Sequence, residues 1–260
     1  MIQHNSNGVR YYIFESFPKR EVLGACFTRM GGVSPEPYKS LNVGSSVGDQ
    51  RSNVVENRKR LFKAISLPEE SMYDAWQVHS TDYFVARELR DLKSEQKKVD
   101  ILLTQNPKVS LMMRFADCVP IFLYDPRQRV IGLAHAGWMG SIKRITSKAI
   151  NAMVTEFDCV PIDIIAAIGP SIGPDHYEVG MDVVTELHTT FPENSGEFLT
   201  QKEGHYFLDL WELNASILKQ AGVKQIEIAR KCTACDVDEW YSHRKEKGKT
   251  GRFGAIFSLA

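Results

Sequence analysis

Short runs of apolar residues, rich in β-branched and aromatic side chains, recur along most of the chain. Runs of this length and composition are typical of β-strands. They predict strands at residues 10–14, 23–28, 83–87, 110–115, 119–124, 129–135, 162–168, 206–208, 225–229 and 255–259.

Other segments show the spacing of apolar residues that is typical of amphipathic helices, at residues 53–65, 141–157, 180–191 and 210–222. Asn53 and Glu56 have the spacing of a capping box at the start of the first helix. Gly222 stands where the end of the last helix favours a left-handed residue. Because helices and strands are mixed without strict βα alternation, we predict a layered α/β or α+β domain.

The composition is that of an ordinary globular protein, with 43% apolar and 25% charged residues in a chain of 260. Residues 1–260 show no internal repeat or long linker, and we interpret them as one domain. Lysine plus arginine equals aspartate plus glutamate, at 32 each, so no net charge attracts nucleic acid or an anionic membrane. The N-terminus lacks a signal-peptide pattern and the five cysteines are an odd, widely spread set, which predicts a cytoplasmic protein with reduced thiols.

The hairpin predicted at residues 115–140 carries the most informative local chemistry. Residues 125–128 have strong turn chemistry, and a turn at their centre places Cys118 opposite His135, with Cβ atoms roughly 5 Å apart. One metal ion can accept a thiolate and an imidazole at that separation. Pro120 predicts a bulge or an edge position in this strand pair. The hairpin by itself leaves open the alternative that both residues belong to the core.

The neighbours of this pair suggest further roles. Asp117 is placed to orient a ligand or to hold a proton, and Gly137 leaves room for a close approach of the backbone. Residues 140–141 are expected to open a helix whose N-terminus, with Lys143 and Arg144 in its first turn, suits an anion such as phosphate. A helix start without a ligand is the alternative.

Ten short motifs along the chain resemble those of the laccase-domain family, also known as the multicopper polyphenol oxidase family. In order they are Thr28-Arg-Met-Gly-Gly-Val-Ser34, Ser40-Leu-Asn-Val-Gly44, Gln77-Val-His79, Ala116-Asp-Cys-Val-Pro120, His135-Ala-Gly-Trp138, Ile168-Gly-Pro170, Tyr177-Glu-Val-Gly180, Cys232-Thr233, Tyr241-Ser-His-Arg244 and Thr250-Gly-Arg252. The resemblance extends over residues 28–252, and the order of the motifs makes it specific. Members of this family are described as purine nucleoside phosphorylases.

The resemblance implies a zinc ion held by His79, Cys118 and His135, with copper as an alternative metal in the same place. Three protein ligands leave a fourth position open, as in catalytic zinc sites. The implied fold is a single four-layered α/β/β/α domain with mixed sheets. The implied activity is phosphorolysis of adenosine, inosine, guanosine and S-methyl-5'-thioadenosine, with adenosine deamination at the same site.

Four residues are therefore expected to be catalytic, namely His79, Cys118, His135 and Asp117. Positioning and charge are expected to supply most of the catalysis, since phosphate must meet the anomeric carbon while the leaving base is stabilised. The group that protonates the base stays open between Asp117, His243 and a water on the zinc.

Further motif residues are candidates for contacts with phosphate or nucleoside, namely Arg29, Asn42 and Arg252. Arginine binds phosphate well through two parallel N–H groups, although structural ion pairs are an equal interpretation for Arg29 and Arg252. Tyr177 and Arg244 also lie in motifs, and we interpret them as structural.

The chain departs from the family pattern after Trp138, where Met139 replaces the usual arginine. The loss of this charge predicts a changed phosphate affinity or substrate preference. The pair Cys232 and Cys235 has the spacing of half a zinc site, but without a second such pair we interpret it as two buried thiols.

Three other functions stay open. A copper-dependent polyphenol oxidase would need further clustered imidazoles, whereas only His79 and His135 of the seven histidines have a strong claim to one metal. A metal-free cysteine hydrolase would use Cys118 as nucleophile and His135 as base. A purine sensor would bind without turnover.

The expected partners are purine nucleosides and phosphate, not nucleic acid or membrane, and the expected assembly is a monomer or a weak homodimer.

Overall fold

The computed structural model describes residues 1–91 and 93–260. The strands in these residues are β1 (Ile2–Ser6), β2 (Val9–Ile13), β3 (Val22–Phe27), β4 (Met72–Asp74), β5 (Tyr83–Val85), β6 (Ile101–Thr104), β7 (Ser110–Phe115), β8 (Val119–Asp125), β9 (Val130–Ala136), β10 (Ile165–Ile168), β11 (Glu178–Val179), β12 (Leu199–Lys202), β13 (His205–Leu208), β14 (Gln225–Ile228) and β15 (Phe253–Leu259). The α-helices are α1 (Arg51–Ala64), α2 (Trp138–Ile142), α3 (Ile145–Phe157), α4 (Met181–Thr190) and α5 (Leu210–Gln220).

Most of the strands form two six-stranded sheets. The first has the spatial order β1-β2-β3-β15-β7-β4, and the second has the order β14-β10-β8-β9-β6-β5. Each sheet is mixed, because β4 pairs in parallel with β7 in the first, while β5–β6 and β10–β14 are parallel pairs in the second. A small third sheet has the order β11-β13-β12.

The two large sheets pack face to face and helices cover their outer faces. Aromatic and aliphatic side chains from both sheets, such as Phe122 and Phe257, fill the space between them. Helix α1 covers the outer face of the first sheet, and helices α2 to α5 cover that of the second. This arrangement confirms the predicted four-layered α/β/β/α fold with mixed sheets. No helix in the described residues has the length and apolar character needed to span a membrane.

The β8–β9 hairpin has a different register from the predicted one. Pro120, not Cys118, lies opposite His135. The turn is displaced because Arg129 adopts a left-handed conformation, with φ of 52°, and the second strand begins only at Val130. The observed register differs from the predicted one by two residues. Because side chains alternate between the two faces of a strand with a period of two, Cys118 still lies on the expected face.

The prediction that Pro120 marks a bulge or an edge was wrong. Strand β8 lies inside the second sheet, between β10 and β9, and its pairing with β9 continues without a bulge from Val119 to Asp125. Pro120 lies one residue from the start of the strand, and its carbonyl oxygen accepts a hydrogen bond from the N–H of Gly169. Pro120 therefore takes part in the hydrogen bonding of the sheet through its carbonyl oxygen, although it has no N–H to donate.

The predicted helix at 141–157 is two helices. Arg144 has φ of 59°, a left-handed conformation that ends α2 and precedes α3. Helix α2 begins at Trp138, so residues 140–141 lie inside it and the Ser141 hydroxyl accepts a hydrogen bond from Asn214. The helix start expected at residues 140–141, for which an anion site was one of two interpretations, therefore lies at Trp138 instead.

The capping box predicted for the first helix was also wrong. Helix α1 begins at Arg51, and its N-cap residue Gln50 makes no side-chain capping bond. Asn53 lies inside the first turn, where its side chain donates to Asp49 Oδ1. The chain enters the helix earlier than predicted, and the Asn53 amide is used by this contact with Asp49.

Candidate active site and metal centre

Three residues far apart in the sequence bring metal-binding atoms to one point. His79 lies in the loop after β4, Cys118 lies in the bend between β7 and β8, and His135 lies near the end of β9. One donor atom of each lies within 4.8 Å of the other two, and the two imidazole centroids are 4.9 Å apart. His135 is buried, Cys118 is half-buried and His79 is exposed, so this group opens to solvent on one side.

Asp100 orients both histidines, because each of its carboxylate oxygens serves a different one. Its Oδ1 contacts His135 Nδ1 at 2.8 Å. Its Oδ2 accepts from the N–H groups of Val78 and Ser80, at 3.1 and 2.7 Å, and these residues flank His79. A carboxylate on one ring nitrogen fixes the tautomer of the imidazole and leaves the other nitrogen for a metal.

The backbone around the ligands is tightly shaped. His79 and Asp117 have φ of 59° and 79°, left-handed values that are uncommon for residues other than glycine. A Cβ at Gly137 would lie 3.1 Å from Cys118 Sγ and 3.1 Å from His79 Nδ1. Gly137 therefore permits the close approach that its position after His135 suggested.

The donor set fits a zinc ion. One thiolate and two imidazoles are ligands that zinc accepts, and three protein ligands are usual in a catalytic zinc site. The contact from Asp100 to His135 is the arrangement that commonly orients such a ligand. Copper also accepts this set of one sulfur and two nitrogens. The residues therefore suit either metal, and the open side lies next to a cavity.

Proton occupancy of the ligands is linked to metal binding. Burial by itself lowers the pKa of His135, but its interactions with Cys118 and Asp100, hydrogen bonds among them, outweigh burial and raise this pKa to about 9. Burial, together with the charge of His135, lowers the pKa of His79. Since a metal binds the unprotonated imidazole, metal uptake near neutral pH must release a proton from His135.

A cavity of about 450 Å³ opens beside the three ligands. Its volume is in the range of sites for small molecules. Aromatic and cationic side chains share its wall with the ligands, namely Trp76, Trp138, Tyr177, Arg114, His243, Arg244 and Arg252. Flat apolar faces and positive charges next to one another suit a ligand that has both an aromatic ring and an anionic group.

Arg252 lines this cavity, and Asn42 lies behind it. The Asn42 side chain is fully buried, and its Oδ1 accepts from the N–H groups of Gly44 and Arg252 at 2.9 and 2.8 Å. Arg252 directs one terminal nitrogen to the carbonyls of Thr250 and Gly251, while the other lies 3.5 Å from His243 Nδ1. Asn42 is thus placed to position Arg252, not to touch a ligand in the cavity.

Arg29 makes structural contacts. Its guanidinium donates to the carbonyl oxygens of Lys39 and Val237 and to the carboxylate of Glu246. The same group lies over the ring of Tyr241, 4.5 Å from its centroid. These contacts use the donors that a phosphate would need, and they favour the ion-pair interpretation of this residue.

Asp117 lies in the cavity wall next to Cys118. Its Oδ1 accepts from the Thr233 hydroxyl at 2.7 Å, and its Oδ2 accepts from the N–H of Arg244 at 2.6 Å. Both oxygens therefore hold neighbouring loops in place. The geometry supports a role for Asp117 in orienting the bend that carries Cys118.

Tyr177 and Arg244 also line the cavity, although their motifs suggested a structural role. The guanidinium of Arg244 lies 5.1 Å from the centroid of the Tyr177 ring and donates to the carbonyl of Glu178. The pair thus forms part of the wall and is also packed against the small third sheet.

Met139 lies in a smaller cavity of about 100 Å³ that adjoins the same ligands. Apolar side chains of Ile172 and Leu210 share this wall. The family's usual arginine at this position would have put a charge here, beside the larger cavity and not within it. The wall of this cavity also includes Asp117, and Met139 adds an apolar surface where arginine would add a charge.

Sequence reasoning missed Asp100 and Arg114. Asp100 is fully buried at the start of β6, and Arg114 interrupts the apolar strand β7. Arg114 donates to Asp74 at 3.1 Å and to Gln77 at 3.2 Å. In both cases the signal in the sequence was an ionisable residue within an apolar run. Such a residue indicates a buried charge, and a buried charge requires a partner.

Comparisons with known proteins agree with these features. The chain matches the family described as multi-copper polyphenol oxidoreductase laccase over residues 24–260. Purine nucleoside phosphorylase YlmD of Geobacillus stearothermophilus is 38% identical over 238 residues, which cover 88% of this chain and 87% of the relative. Purine nucleoside phosphorylase YfiH of Escherichia coli is 32% identical over 248 residues, which cover 95% of this chain and 98% of the relative.

Solved structures share the same fold. The crystal structure of YlmD from Geobacillus stearothermophilus superposes with a TM-score of 0.90 at 35% identity, covering 99% of this chain and 98% of that one. The hypothetical protein YfiH of Bacillus licheniformis superposes with a TM-score of 0.91 at 30% identity, covering 99% of both chains. The chain therefore belongs to the multi-copper polyphenol oxidoreductase laccase family.

Proposed function

We propose that this protein is a zinc-dependent purine nucleoside phosphorylase acting on adenosine, inosine, guanosine and S-methyl-5'-thioadenosine. The observation that carries the proposal is a three-ligand metal centre, His79, Cys118 and His135, open toward a cavity with aromatic and cationic walls. The relatives named purine nucleoside phosphorylase support the same reaction class.

The cavity offers surfaces for both substrates. Trp76, Trp138 and Tyr177 present aromatic rings on which a purine can stack. Arg252 presents positive charge for phosphate, and Arg114, whose donors are used by Asp74 and Gln77, adds positive charge to the wall. Holding phosphate and nucleoside together in the attacking geometry supplies much of the rate enhancement in a reaction between two bound substrates.

The charge around Arg114 favours an anion. Arg58, Arg90 and Arg114 all form ion pairs with the single carboxylate of Asp74, at 3.5, 2.6 and 3.1 Å. Three guanidinium groups around one carboxylate leave a local excess of positive charge, and Arg114 among them lines the cavity. This charge would attract phosphate and stabilise negative charge during the reaction.

A proton must reach the departing purine. Asp117 is occupied by hydrogen bonds on both oxygens, whereas His243 lines the cavity and its Nδ1 lies near Arg252. Because His243 is, within the described residues, the candidate side chain that faces the cavity without such contacts to both of its polar atoms, we assign the general acid role to His243. A bound zinc ion would supply Lewis-acid charge at the open position beside it.

Adenosine deamination belongs to the same proposal as a second activity. Its support is the same open metal position next to a proton-exchanging side chain, which is what attack of water on a purine carbon requires. The test is ammonia release from adenosine measured separately from base release, so that each reaction has its own readout.

A metal-free cysteine hydrolase is the second candidate. Cys118, His135 and Asp100 stand in the order of a nucleophile, a base and an orienting carboxylate. His79 adds a third donor within 4.8 Å of the same group, which a hydrolase of this kind does not need. This third donor favours the metal centre, and metal content separates the two functions.

A polyphenol oxidase has less support. Within residues 1–91 and 93–260, three or more clustered metal donors occur only at His79, Cys118 and His135 and at a second group of one aspartate, one histidine and two cysteines. Neither group supplies the set of imidazoles that a multicopper oxidase uses to reduce oxygen. Copper in the main centre would therefore give at most weak oxidation.

The test measures base release from the four nucleosides with and without phosphate, using protein of known zinc content. We expect release that depends on phosphate and is lost in Cys118→Ala and His79→Ala. His205→Ala, which changes a histidine that is 60% exposed on β13, should leave the rate unchanged. Release without phosphate dependence would indicate a hydrolase, and no turnover by zinc-loaded protein would overturn the proposal in favour of a purine sensor.

A further inference from the structure

A second cluster of metal-binding side chains lies outside the active site. Asp175, His176, Cys232 and Cys235 each bring a donor atom to within 4.8 Å of the other three. Asp175 and His176 follow β10, while the two cysteines lie in the turn after β14. The cysteines are not the two buried thiols that their spacing suggested, because Cys235 is exposed and Cys232 is only half-buried.

Three of four donor-to-donor distances within this cluster match those of a tetrahedral metal site, and the fourth is shorter. Cys235 Sγ lies 3.5 Å from His176 Nδ1 and 3.3 Å from Asp175 Oδ2, while Cys232 Sγ lies 3.8 Å from the same nitrogen. His176 Nδ1 and Asp175 Oδ2 are 3.0 Å apart. Donor atoms bound to one tetrahedral zinc at about 2.0–2.3 Å lie about 3.3–3.8 Å from one another.

We propose that these four residues form a second zinc site, with a structural role. Two thiolates, one imidazole and one carboxylate complete a four-coordinate set from the protein alone, which is the mark of a structural site and not of a catalytic one. The N–H of Gly173 donates to Cys232 Sγ at 3.2 Å, a contact that stabilises a thiolate.

The site joins two loops that build the wall of the active-site cavity. His176 precedes Tyr177, which lines that cavity. Cys232 precedes Thr233, whose hydroxyl holds Asp117 Oδ1 at 2.7 Å. Zinc bound to both loops would therefore fix the aromatic wall and the bend that carries Cys118, without touching the substrate.

Counting metal ions tests the proposal without relying on activity. The full-length protein is purified under reducing conditions, loaded with zinc and washed free of excess metal. We expect two zinc ions per chain, one for each donor group. Cys235→Ser and Cys118→Ala should each lose one of them, the double variant should lose both, and Cys159→Ala, which changes a buried cysteine in the helix-covered core, should keep both.

Cobalt reports on the ligands directly. In Cys118→Ala, bound Co²⁺ should still show thiolate-to-cobalt absorption, and this band should disappear when Cys235→Ser or His176→Ala is added. One zinc per reduced wild-type chain, or a cobalt band that survives both additions, would overturn the second site. So would a disulfide between Cys232 and Cys235 that persists with zinc present. None of these outcomes depends on nucleoside turnover, so the proposed enzymatic function is judged separately.

Discussion

Asp100 supports the geometry of the proposed metal centre, because one of its oxygens contacts a histidine ring and the other contacts the backbone beside the second histidine. One contacts His135 Nδ1 at 2.8 Å, and the other holds the backbone on either side of His79. Burial by itself raises the pKa of the Asp100 carboxyl, but the interaction with His135 and the hydrogen bonds from the N–H groups of Ser80 and Val78 outweigh it and lower this pKa. A charged carboxylate is therefore maintained at a fully buried position.

Replacing Asp100 with asparagine should weaken zinc binding by about 10–100-fold, because the amide keeps the shape but loses the charge that orients His135. Competition against a chelating indicator measures this affinity. Asp82→Asn is the matched control, since this neighbouring carboxylate is exposed. Equal affinities for the two variants would contradict the role assigned to Asp100.

Gly137 has no room for a side chain beside the ligands. Gly137→Ala should lower zinc affinity, because its Cβ would lie 3.1 Å from both Cys118 Sγ and His79 Nδ1. Gly140→Ala, where the nearest atom is 3.5 Å away on Ile145, should bind zinc as the wild type does. A similar zinc affinity in both variants would show that the ligand loops adjust freely.

Arg252 and Arg29 should behave differently when each is changed to glutamine. Arg252→Gln should raise the KM for phosphate about tenfold or more, the effect of losing a charge-assisted hydrogen bond, with a smaller change in the KM for nucleoside. Arg29→Gln should lower Tm instead, because its contacts hold Glu246 and the carbonyl of Val237. Steady-state kinetics and thermal unfolding measure the two effects, and a phosphate KM that responds to Arg29 would reverse the assignment.

At the scale of elements, most apolar strands were predictable, whereas several short or polar ones were not. The observed bounds of strands β2, β3 and β7 agree closely with the predicted bounds. Strands β1 and β12 carry several polar side chains, and β4 has only three residues. Such segments become strands because a neighbouring strand offers hydrogen bonds, which local apolar periodicity does not record.

The break between α2 and α3 shows a related limit. Ile142 and Ile145 lie on either side of Arg144 and pack in the same core. Apolar periodicity therefore continues through a point where the backbone turns left-handed. The pattern of buried positions reports which face meets the core, and it does not report whether the helical hydrogen bonds continue.

The start of α1 is tied to the cavity through Asp49. Its Oδ2 accepts from Ser34 and Asn42 at 2.6 and 2.8 Å, and its Oδ1 accepts from the N–H of Gln50 at 2.8 Å. Burial by itself raises the pKa of the Asp49 carboxyl, but these hydrogen bonds outweigh it and lower the pKa below its ordinary value. The charged form is thus favoured in the folded protein.

Because the pKa of Asp49 is lower in the folded chain, its contribution to the free energy of unfolding is present above about pH 4 and is lost as pH falls through the folded pKa. Asp49→Asn should therefore be less stable than the wild type at neutral pH. The difference should shrink in acid. Denaturant unfolding at a series of pH values measures this, and a difference that grows toward low pH would contradict the sign.

At the scale of the whole molecule, the two sheets are held together by an aromatic core. Phe122 of β8 contacts Phe14 and Phe257, with ring centroids 5.0 and 5.1 Å apart. Phe257 belongs to the first sheet and Phe122 to the second. Contacts between these rings therefore join the two sheets.

Phe122→Ala should lower the free energy of unfolding by about 3–5 kcal/mol, the usual cost of removing a buried phenylalanine. Phe84→Ala, at the half-buried edge strand β5, should cost less. Urea unfolding measures the loss in free energy of unfolding for each variant, and the comparison requires that the two variants have the same m-value. Equal losses would show that the core between the sheets is not the main source of stability.

The sequence by itself determined the family and the layered class of fold, and it predicted the three residues proposed as metal ligands, because ordered motifs and residue chemistry are properties of the chain. Only the tertiary structure decided the register of the hairpin, the roles of Asp100 and Asn42, and the position of Arg29 away from the cavity. It also brought His176 and Cys232 together across 56 residues. Local preferences act over about one element, whereas the approach of distant loops depends on how the sheets pack.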